Sequence, residues 1–157
     1  MTPLVTLREV EHRLGEIAFP AVDAVVAIER GGRVPGELIS AILDRPLGLV
    51  RLAYRDDSNE VQHAEPKLLH RPAIPCPAGG HILLVDDVSA SGATLRRAMR
   101  ELSGFELTTF VLKGTADIVA FPELDACVTW PWTPLRSRQA SGRVETDARS
   151  AVGPSAR

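Results

Sequence analysis

Two adjacent carboxylates, Asp86 and Asp87, follow the apolar run Ile82–Val85 and are the side chains in this sequence best suited to chemistry. Charged groups at the end of a buried strand are costly unless a cation or hydrogen-bond donors meet them. Such a pair can hold sugar hydroxyl groups and a hydrated Mg²⁺ ion, with Asp87 as the expected metal ligand. A plain acidic pair at a strand end, beside a turn, is the alternative interpretation.

The segment after this pair has the features of a phosphate-binding loop. A helix is predicted to begin at Thr94, and the unpaired N–H groups and positive dipole end of a helix favour an anion. Gly92 allows the backbone to approach a ligand closely, and nearby hydroxyl groups add donors. The sequence contains neither a Walker A motif nor a dinucleotide-binding fingerprint. The residues assigned to the loop are Ser89, Ala90, Ser91, Gly92, Ala93 and Thr94.

A second candidate loop, Arg30-Gly31-Gly32, follows the apolar run Ala24–Ile28. Two glycines allow a tight turn with free N–H groups, and Arg30 adds a fixed positive charge, a combination that can bind a diphosphate. In isolation the tripeptide is more typical of a plain turn. The diphosphate-binding interpretation is favoured because, in a parallel sheet, this loop and the acidic pair would follow neighbouring strands.

The elements that must position these loops alternate between strands and helices. Thr6 is a suitable N-cap for a helix that begins at Leu7 and is stopped by Pro20. Short β-branched apolar runs predict strands that are buried on both faces. Strands are predicted at 24–28, 47–54, 81–85, 105–112 and 126–129, further helices at 35–43 and 94–102, and a long loop with a short hairpin near 67–69 at 55–80.

This order predicts an α/β fold, with a mostly parallel sheet flanked by helices on both faces. A single domain is expected over residues 1–135. Residues 136–157 are rich in Arg, Ser, Gly and Ala without periodicity and are expected to form a disordered tail. Hydrophobic residues make up 45% of the chain and aromatic residues only 4%, which favours an aliphatic buried sheet.

Charge and composition argue against several functional classes. The net charge of -2 is unlike that of a general nucleic-acid binder, which needs clustered positive charge. Two cysteines, Cys76 and Cys127, do not make a disulfide framework or a zinc site. The sequence starts without a secretory signal pattern, and no apolar run is long enough to span a membrane. We therefore expect a soluble, cytoplasmic protein without a membrane or nucleic-acid partner.

The stretch Ile82–Leu95 resembles the phosphoribosyl diphosphate (PRPP) signature of type I phosphoribosyltransferases. The resemblance implies a Rossmann-like fold with a small hood, an acidic pair that holds the ribose hydroxyls, and a loop, Ala90–Thr94, that cradles the 5-phosphate. The segment Ile28–Leu38 resembles the diphosphate loop of bacterial xanthine-guanine phosphoribosyltransferases, which often contains a cis peptide bond before its glycines. The likeness extends over residues 5 to 134.

The same resemblance assigns a base-binding side. Lys113 matches a lysine that faces the 6-oxo group of a purine, although a solvated charge at a strand end would look the same. Cys127 falls where the family usually has an aromatic residue that stacks on the base, and Val128 would contact the base edge through its backbone. Ala90 stands in place of an aspartate that handles a proton near purine N7, which weakens a guanine or xanthine assignment.

The activity implied by the resemblance is Mg²⁺-dependent transfer of the phosphoribosyl group from PRPP to a nucleobase, with release of diphosphate. A purine is expected, with a 6-oxopurine favoured, and Arg30, Asp86 and Asp87 are the expected catalytic residues. Residues 55–67 would close over the reacting centre, and the protein would form a homodimer or homotetramer. Two alternatives stay open: a non-catalytic module that senses PRPP or nucleotides, and a transferase for a non-purine base.

Overall fold

A computed structural model describes residues 2–53, 67–70 and 73–134. Most of the predicted lid and the predicted tail lie outside these residues. The helices and strands are α1 (Leu7–Glu16), β1 (Ala24–Glu29), α2 (Arg33–Leu43), β2 (Leu47–Ala53), β3 (Lys67–His70), β4 (His81–Ser89), α3 (Ala93–Glu101), β5 (Glu106–Gly114) and β6 (Ile118–Val119). In the described part of the chain, no helix is long and apolar enough to cross a membrane.

The described strands form one sheet in the order β3-β2-β1-β4-β5-β6. All neighbouring pairs are parallel except β2 and β3, which are antiparallel. The predicted α/β class with a mostly parallel sheet is therefore confirmed. Strands β1 and β4 are adjacent. From β1 the chain continues to β2 on one side, and from β4 it continues to β5 on the other, so the strand order reverses between them. Ligands of open α/β sheets bind at the carboxyl ends of strands at such a point.

Side chains of the central strands alternate between two apolar layers. In β1, Val25 packs into the layer that contains α1 and α2, whereas Val26 packs into the layer that contains α3. In β4, Leu83 and Leu84 divide in the same way. The near-continuous apolar runs in the sequence therefore have the physical cause expected of a sheet buried on both faces. This packing holds the carboxyl ends of β1 and β4 rigidly side by side.

Strand β4 is longer than predicted. Its pairing with β5 runs from His81 opposite Glu106 to Ser89 opposite Gly114, so the acidic pair lies within the strand rather than after its end. The extension occurs because β5 itself continues to Gly114 and supplies backbone partners. Gly114 has φ +112°, and a Cβ there would collide with the backbone of Ser89. Glycine therefore allows the two strands to stay close at this edge.

The predicted strand at 126–129 is wrong. Thr129 forms only an isolated parallel bridge with Leu4, held by backbone hydrogen bonds to Pro3 and Val5. The last strand is instead β6, a two-residue strand that pairs with β5. Two residues are too few to produce a periodic pattern, and the bridge at Thr129 depends on the distant N-terminal residues. Neither feature is readable from local sequence.

Residues 120–134 form an irregular segment, called here the hood, that packs against α1. Thr6 caps α1 as predicted, in a reciprocal arrangement with Glu9. Arg13 of this helix donates to the carbonyl of Ala120 at 3.0 Å and to the carboxylate of Glu123 at 2.7 Å. Its guanidinium also lies 4.7 Å from the centre of the Phe121 ring. These contacts fix the hood beside the carboxyl ends of the strands.

Candidate functional site

The first candidate loop, Arg30–Gly32, meets the acidic pair where β1 ends beside β4. A Cβ built on Gly31 would overlap the carboxylate of Asp87. A Cβ on Gly32 would lie 2.5 Å from the carbonyl oxygen of Val85 and 2.7 Å from that of Ile28. The double glycine is therefore required by space, since only glycine lets the first loop run directly against the acidic pair.

The first loop leads directly into α2. The peptide bond between Glu29 and Arg30 is cis, as the resemblance implied. Gly32 donates to the carbonyl of Ile28 at 2.8 Å and stands as the N-cap of α2 without a side-chain hydrogen bond. Helix α2 begins at Arg33, two residues before its predicted start. The N-terminus of this helix thus adds its dipole to the exposed side chain of Arg30 at one end of the site.

Asp86 and Asp87 form a coupled acidic pair with different environments. Asp86 is only 6% exposed, whereas Asp87 is half-buried. Burial raises the pKa of the Asp86 carboxyl well above its ordinary value, and the neighbouring charge of Asp87 raises it further. Burial also raises the pKa of Asp87, although hydrogen bonds lower it in part. The pair is thus a buried concentration of negative charge that a cation or sugar hydroxyls would stabilise.

The backbone and one aromatic side chain orient this pair. An oxygen of Asp86 accepts from the N–H of Asp87 at 2.8 Å, and an oxygen of Asp87 accepts from the N–H of Val88 at 2.7 Å. The indole N–H of Trp132 is close enough to lower the pKa of Asp87. Within the described residues, however, that buried nitrogen makes no hydrogen bond of standard length. Trp132 also stacks on Trp130, with ring centres 5.7 Å apart. Through Trp132, the hood approaches the acidic pair.

The phosphate-loop candidate turns sharply into α3. Gly92 has φ +77° and is the N-cap without a side-chain cap, so N–H groups that follow Ala93 in the first turn of α3 remain available to a ligand. Helix α3 begins at Ala93, one residue before its predicted start, and Thr94 is half-buried in its first turn. The hydroxyl of Ser91 accepts weakly from the N–H of Ala93 at 3.3 Å.

Ser89 and Ala90 occupy the bend between the strand and this loop. Ser89 is 5% exposed, and its hydroxyl finds no hydrogen-bond partner among the described residues. A buried hydroxyl without a partner is costly, so a polar ligand group at this position would be favoured. Ala90 is exposed beside it and carries no titratable group.

One basic residue at this loop was missed from the sequence. Nη1 of Arg96 donates to the carbonyl of Ser91 at 3.0 Å, so its side chain folds back over the loop. The sequence signal was a cation one turn after Gly92, but arginines are frequent in α3 and only the side-chain direction distinguishes this one.

Of the base-side candidates, strand register places only Lys113 beside the strand of the acidic pair. Lys113 is half-buried near the end of β5, in register with Val88 of β4. Cys127 is exposed and Val128 half-buried, and both belong to the hood rather than to a strand. Val128 packs against the apolar layer that contains α1 and α2.

The carboxylate donors of the site fit a magnesium ion that the protein and a substrate would bind together. In the described part of the chain, no group of three or more His, Cys, Asp or Glu side chains is placed to form a metal site of its own. Asp86 and Asp87 offer carboxylate oxygens in a buried, negatively charged setting. Mg²⁺ is usually bound by one or two carboxylates together with substrate oxygens and water. This pair matches that pattern.

A family model for the phosphoribosyl transferase domain matches residues 9–113, which include both loops and the acidic pair. The chain belongs to the phosphoribosyltransferase family. A curated relative, hypoxanthine/guanine phosphoribosyltransferase of Methanothrix soehngenii, is 30% identical over 111 residues. That alignment covers 68% of this chain but only 59% of the relative, so the chain spans well under two thirds of that protein's length.

Solved structures of similar proteins agree with the fold. A hypothetical protein from Neisseria gonorrhoeae with bound ppGpp is 25% identical, with a TM-score of 0.63 over 90% of this chain and 95% of its own. Purine phosphoribosyltransferase from Pyrococcus horikoshii is 22% identical, with a TM-score of 0.63 over 85% of this chain and 95% of its own. The xanthine-guanine-hypoxanthine phosphoribosyltransferase of Helicobacter pylori is 16% identical, with a TM-score of 0.64 over 90% and 99%. At these identities the last two establish the fold alone.

Proposed function

We propose that this protein catalyses the Mg²⁺-dependent transfer of the phosphoribosyl group from PRPP to a nucleobase, with release of diphosphate. The observation that carries the proposal is the direct contact of the Gly31 backbone with the Asp87 carboxylate. It brings a candidate diphosphate loop and a candidate ribose site together in a member of the phosphoribosyltransferase family. A purine is the proposed base, with a 6-oxopurine favoured, because the curated relative is a hypoxanthine/guanine enzyme.

In the proposed reaction, the bond between ribose C1 and the diphosphate oxygen breaks, a base nitrogen bonds to C1, and the proton of that nitrogen passes to solvent or to the departing diphosphate. Arg30 and the backbone N–H groups of Gly31 and Gly32 would neutralise the departing diphosphate. Asp86 and Asp87 would hold the ribose hydroxyls, and so fix C1 opposite the incoming base. When bound, Mg²⁺ would supply further positive charge to the diphosphate, with Asp87 as a ligand.

The remaining residues would bind the two ends of the substrates. The loop from Ser89 to Thr94 would take the 5-phosphate through the free N–H groups of α3 and its hydroxyls. Lys113 would donate to an oxo group of the base, and Val128 would contact the base edge through its backbone. Cys127 supplies no aromatic face, so stacking on the base would be weaker than usual in the family.

A nucleotide-binding module without turnover is the second candidate. The similar protein from Neisseria gonorrhoeae was solved with ppGpp bound, which supports a nucleotide as a ligand of this protein. Ala90 and Cys127 also favour this candidate, because neither can perform the proton transfer or the base stacking usual for purine enzymes of the family. A transferase for a non-purine base is the third candidate, since the same two positions alter the base pocket.

Diphosphate release from PRPP and Mg²⁺ distinguishes these candidates. Guanine, xanthine, hypoxanthine, adenine, orotate and uracil are assayed in parallel, with a reaction that lacks any base as the control. Release that depends on a 6-oxopurine is the expected result, and release with orotate or uracil alone would move the assignment to a non-purine base. No release with any base, together with saturable PRPP or ppGpp binding, would establish the sensing module instead.

The assembly and setting of the protein are part of the same proposal. We expect a homodimer or homotetramer in the cytoplasm, as is usual for the family that the sequence resembles. Sedimentation equilibrium with and without PRPP and Mg²⁺ measures the assembly directly, and a monomer at micromolar concentration would contradict it.

A further inference from the structure

Arg96 lies over the phosphate-loop candidate instead of extending into solvent. Its Nη1 donates to the carbonyl of Ser91 at 3.0 Å. A Cβ built on Gly92 would lie 2.6 Å from the same nitrogen, so the guanidinium covers the turn itself. Two features therefore favour glycine at position 92: the positive φ of the N-cap, and the space that the guanidinium of Arg96 occupies.

In the described part of the chain, the charge of Arg96 has a different environment from the charges of two other arginines. Its neighbour Arg97 pairs with Glu101, and Arg33 pairs with Glu37 at 3.0 Å. Among the described residues, Arg96 contacts a backbone carbonyl but no carboxylate. A guanidinium carries five N–H donors in a fixed plane, and a single hydrogen bond to Ser91 leaves most of them available.

The place of this charge is electrostatically unusual. Arg96 is the fourth residue of α3, and a cation near the N-terminus of a helix opposes the helix dipole. A phosphate dianion bound there would be attracted both by the free N–H groups and by the guanidinium, and these attractions would offset the repulsion between the guanidinium and the helix dipole. Arginine binds phosphate oxygens through two parallel hydrogen bonds, which adds orientation to the attraction.

We propose that Arg96 is a ligand of the sugar 5-phosphate, which it would contact from its position over the turn at Ser91 and Gly92. This inference rests on the proposed function, since it assumes that a phosphorylated ribose occupies the loop. The 5-phosphate takes no part in bond breaking, so Arg96 acts through binding of the substrate. Its loss therefore weakens PRPP binding and lowers kcat/KM for PRPP.

The matched pair of variants is Arg96→Gln and Arg100→Gln. Arg100 is exposed one turn further along α3. Its substitution removes the same charge at a distance from the loop. Binding of PRPP with Mg²⁺, of ribose 5-phosphate and of inorganic diphosphate is measured by titration calorimetry for the wild type and both variants. Circular dichroism melts show whether each variant is folded.

The expected result is a loss of affinity for PRPP and ribose 5-phosphate of about 10- to 100-fold in Arg96→Gln, the range of a charge-assisted hydrogen bond. Arg100→Gln should stay within about twofold of the wild type, and the affinity for diphosphate should not change in either variant. Equal affinities in wild type and Arg96→Gln, or equal losses in both variants, would overturn the inference alone. A wild type that binds neither PRPP nor ribose 5-phosphate would overturn the proposed function, and this inference with it.

Discussion

The sugar-phosphate side and the base side of the site are built by different means. The sugar-phosphate side consists of β1, β4 and the loops that lead into α2 and α3. These strands and helices pack in the two apolar layers of the sheet. The second combines the end of β5 with the hood, in which Thr129 contributes only an isolated bridge. Regular elements hold the sugar-phosphate side, whereas the hood depends on contacts with α1 such as that between Arg13 and Glu123.

This difference bears on Cys127, one of the two positions at which the sequence departs from the family pattern. On the sugar-phosphate side, Gly31, Gly32 and Asp87 are restricted by one another, since a Cβ at either glycine would collide with neighbouring atoms. Cys127 is exposed in the hood, so its side chain can vary without disturbing the core. We infer that substitutions on the first side remove function, while substitutions on the second side change its strength or specificity.

The largest effect is expected from Asp87→Ala. The variant loses the carboxylate proposed to hold ribose hydroxyls and Mg²⁺, so kcat/KM should fall by about 10³-fold and PRPP binding should be lost in a titration. Glu11→Ala, which removes an exposed carboxylate from α1, is the control and should behave as the wild type. Unchanged PRPP affinity in Asp87→Ala would contradict the assignment of the acidic pair.

A slightly smaller effect is expected from Gly31→Ala. The added methyl group would overlap the Asp87 carboxylate and displace it from the loop, and a displacement of about 1 Å costs about 10²-fold in rate. Gly15→Ala serves as the control, because nothing lies within 4 Å of the Cβ it would add. Steady-state kinetics of both variants measure the difference, and full activity in Gly31→Ala would show that the two loops act independently.

A gain is expected from Cys127→Trp on the base side. An aromatic face at this position would restore a stacking term of roughly 1 to 3 kcal/mol per base, and so lower the KM for the base by about 10-fold. Ala126→Trp places an indole at the neighbouring exposed position and should leave the KM unchanged. An equal response of both variants would mean that Cys127 does not face the base.

The smallest effect is expected on stability, from Asp86→Asn measured without ligands. Burial raises the pKa of Asp86 above its ordinary value of 3.8, so the folded state favours the protonated carboxyl. Its contribution to stability is complete below that value and is lost as the pH rises through the folded-state pKa. Asp86→Asn should therefore match the wild type near pH 3.5 and exceed it at pH 8 by about 1 kcal/mol in urea unfolding. If Asp86→Asn were less stable than the wild type at pH 8, the interpretation of Asp86 as an uncompensated buried charge would be wrong.

Local sequence predicted most of the framework, and its errors have a common cause. Thr6 and Leu7 mark the start of α1, and the apolar runs of β1 and β2 lie within a residue or so of their observed limits, because capping and burial patterns act over short distances. The extension of β4 to Ser89 was missed, since it depends on pairing with Gly114 of another strand.

The sequence by itself determined which chemical groups are available: an acidic pair after an apolar run, a double glycine beside an arginine, and a glycine-containing turn into a helix. Each is a short-range feature, and short-range preferences of the backbone suffice to produce it. The tertiary structure alone decided that Gly31 touches Asp87, that Trp132 of the hood approaches the same carboxylate, and that Arg96 turns back over its own loop. The first two relations depend on strand order and packing, in which residues far apart in the chain compete for the same space. The third is local, but it depends on the direction of a side chain, which the sequence alone does not fix.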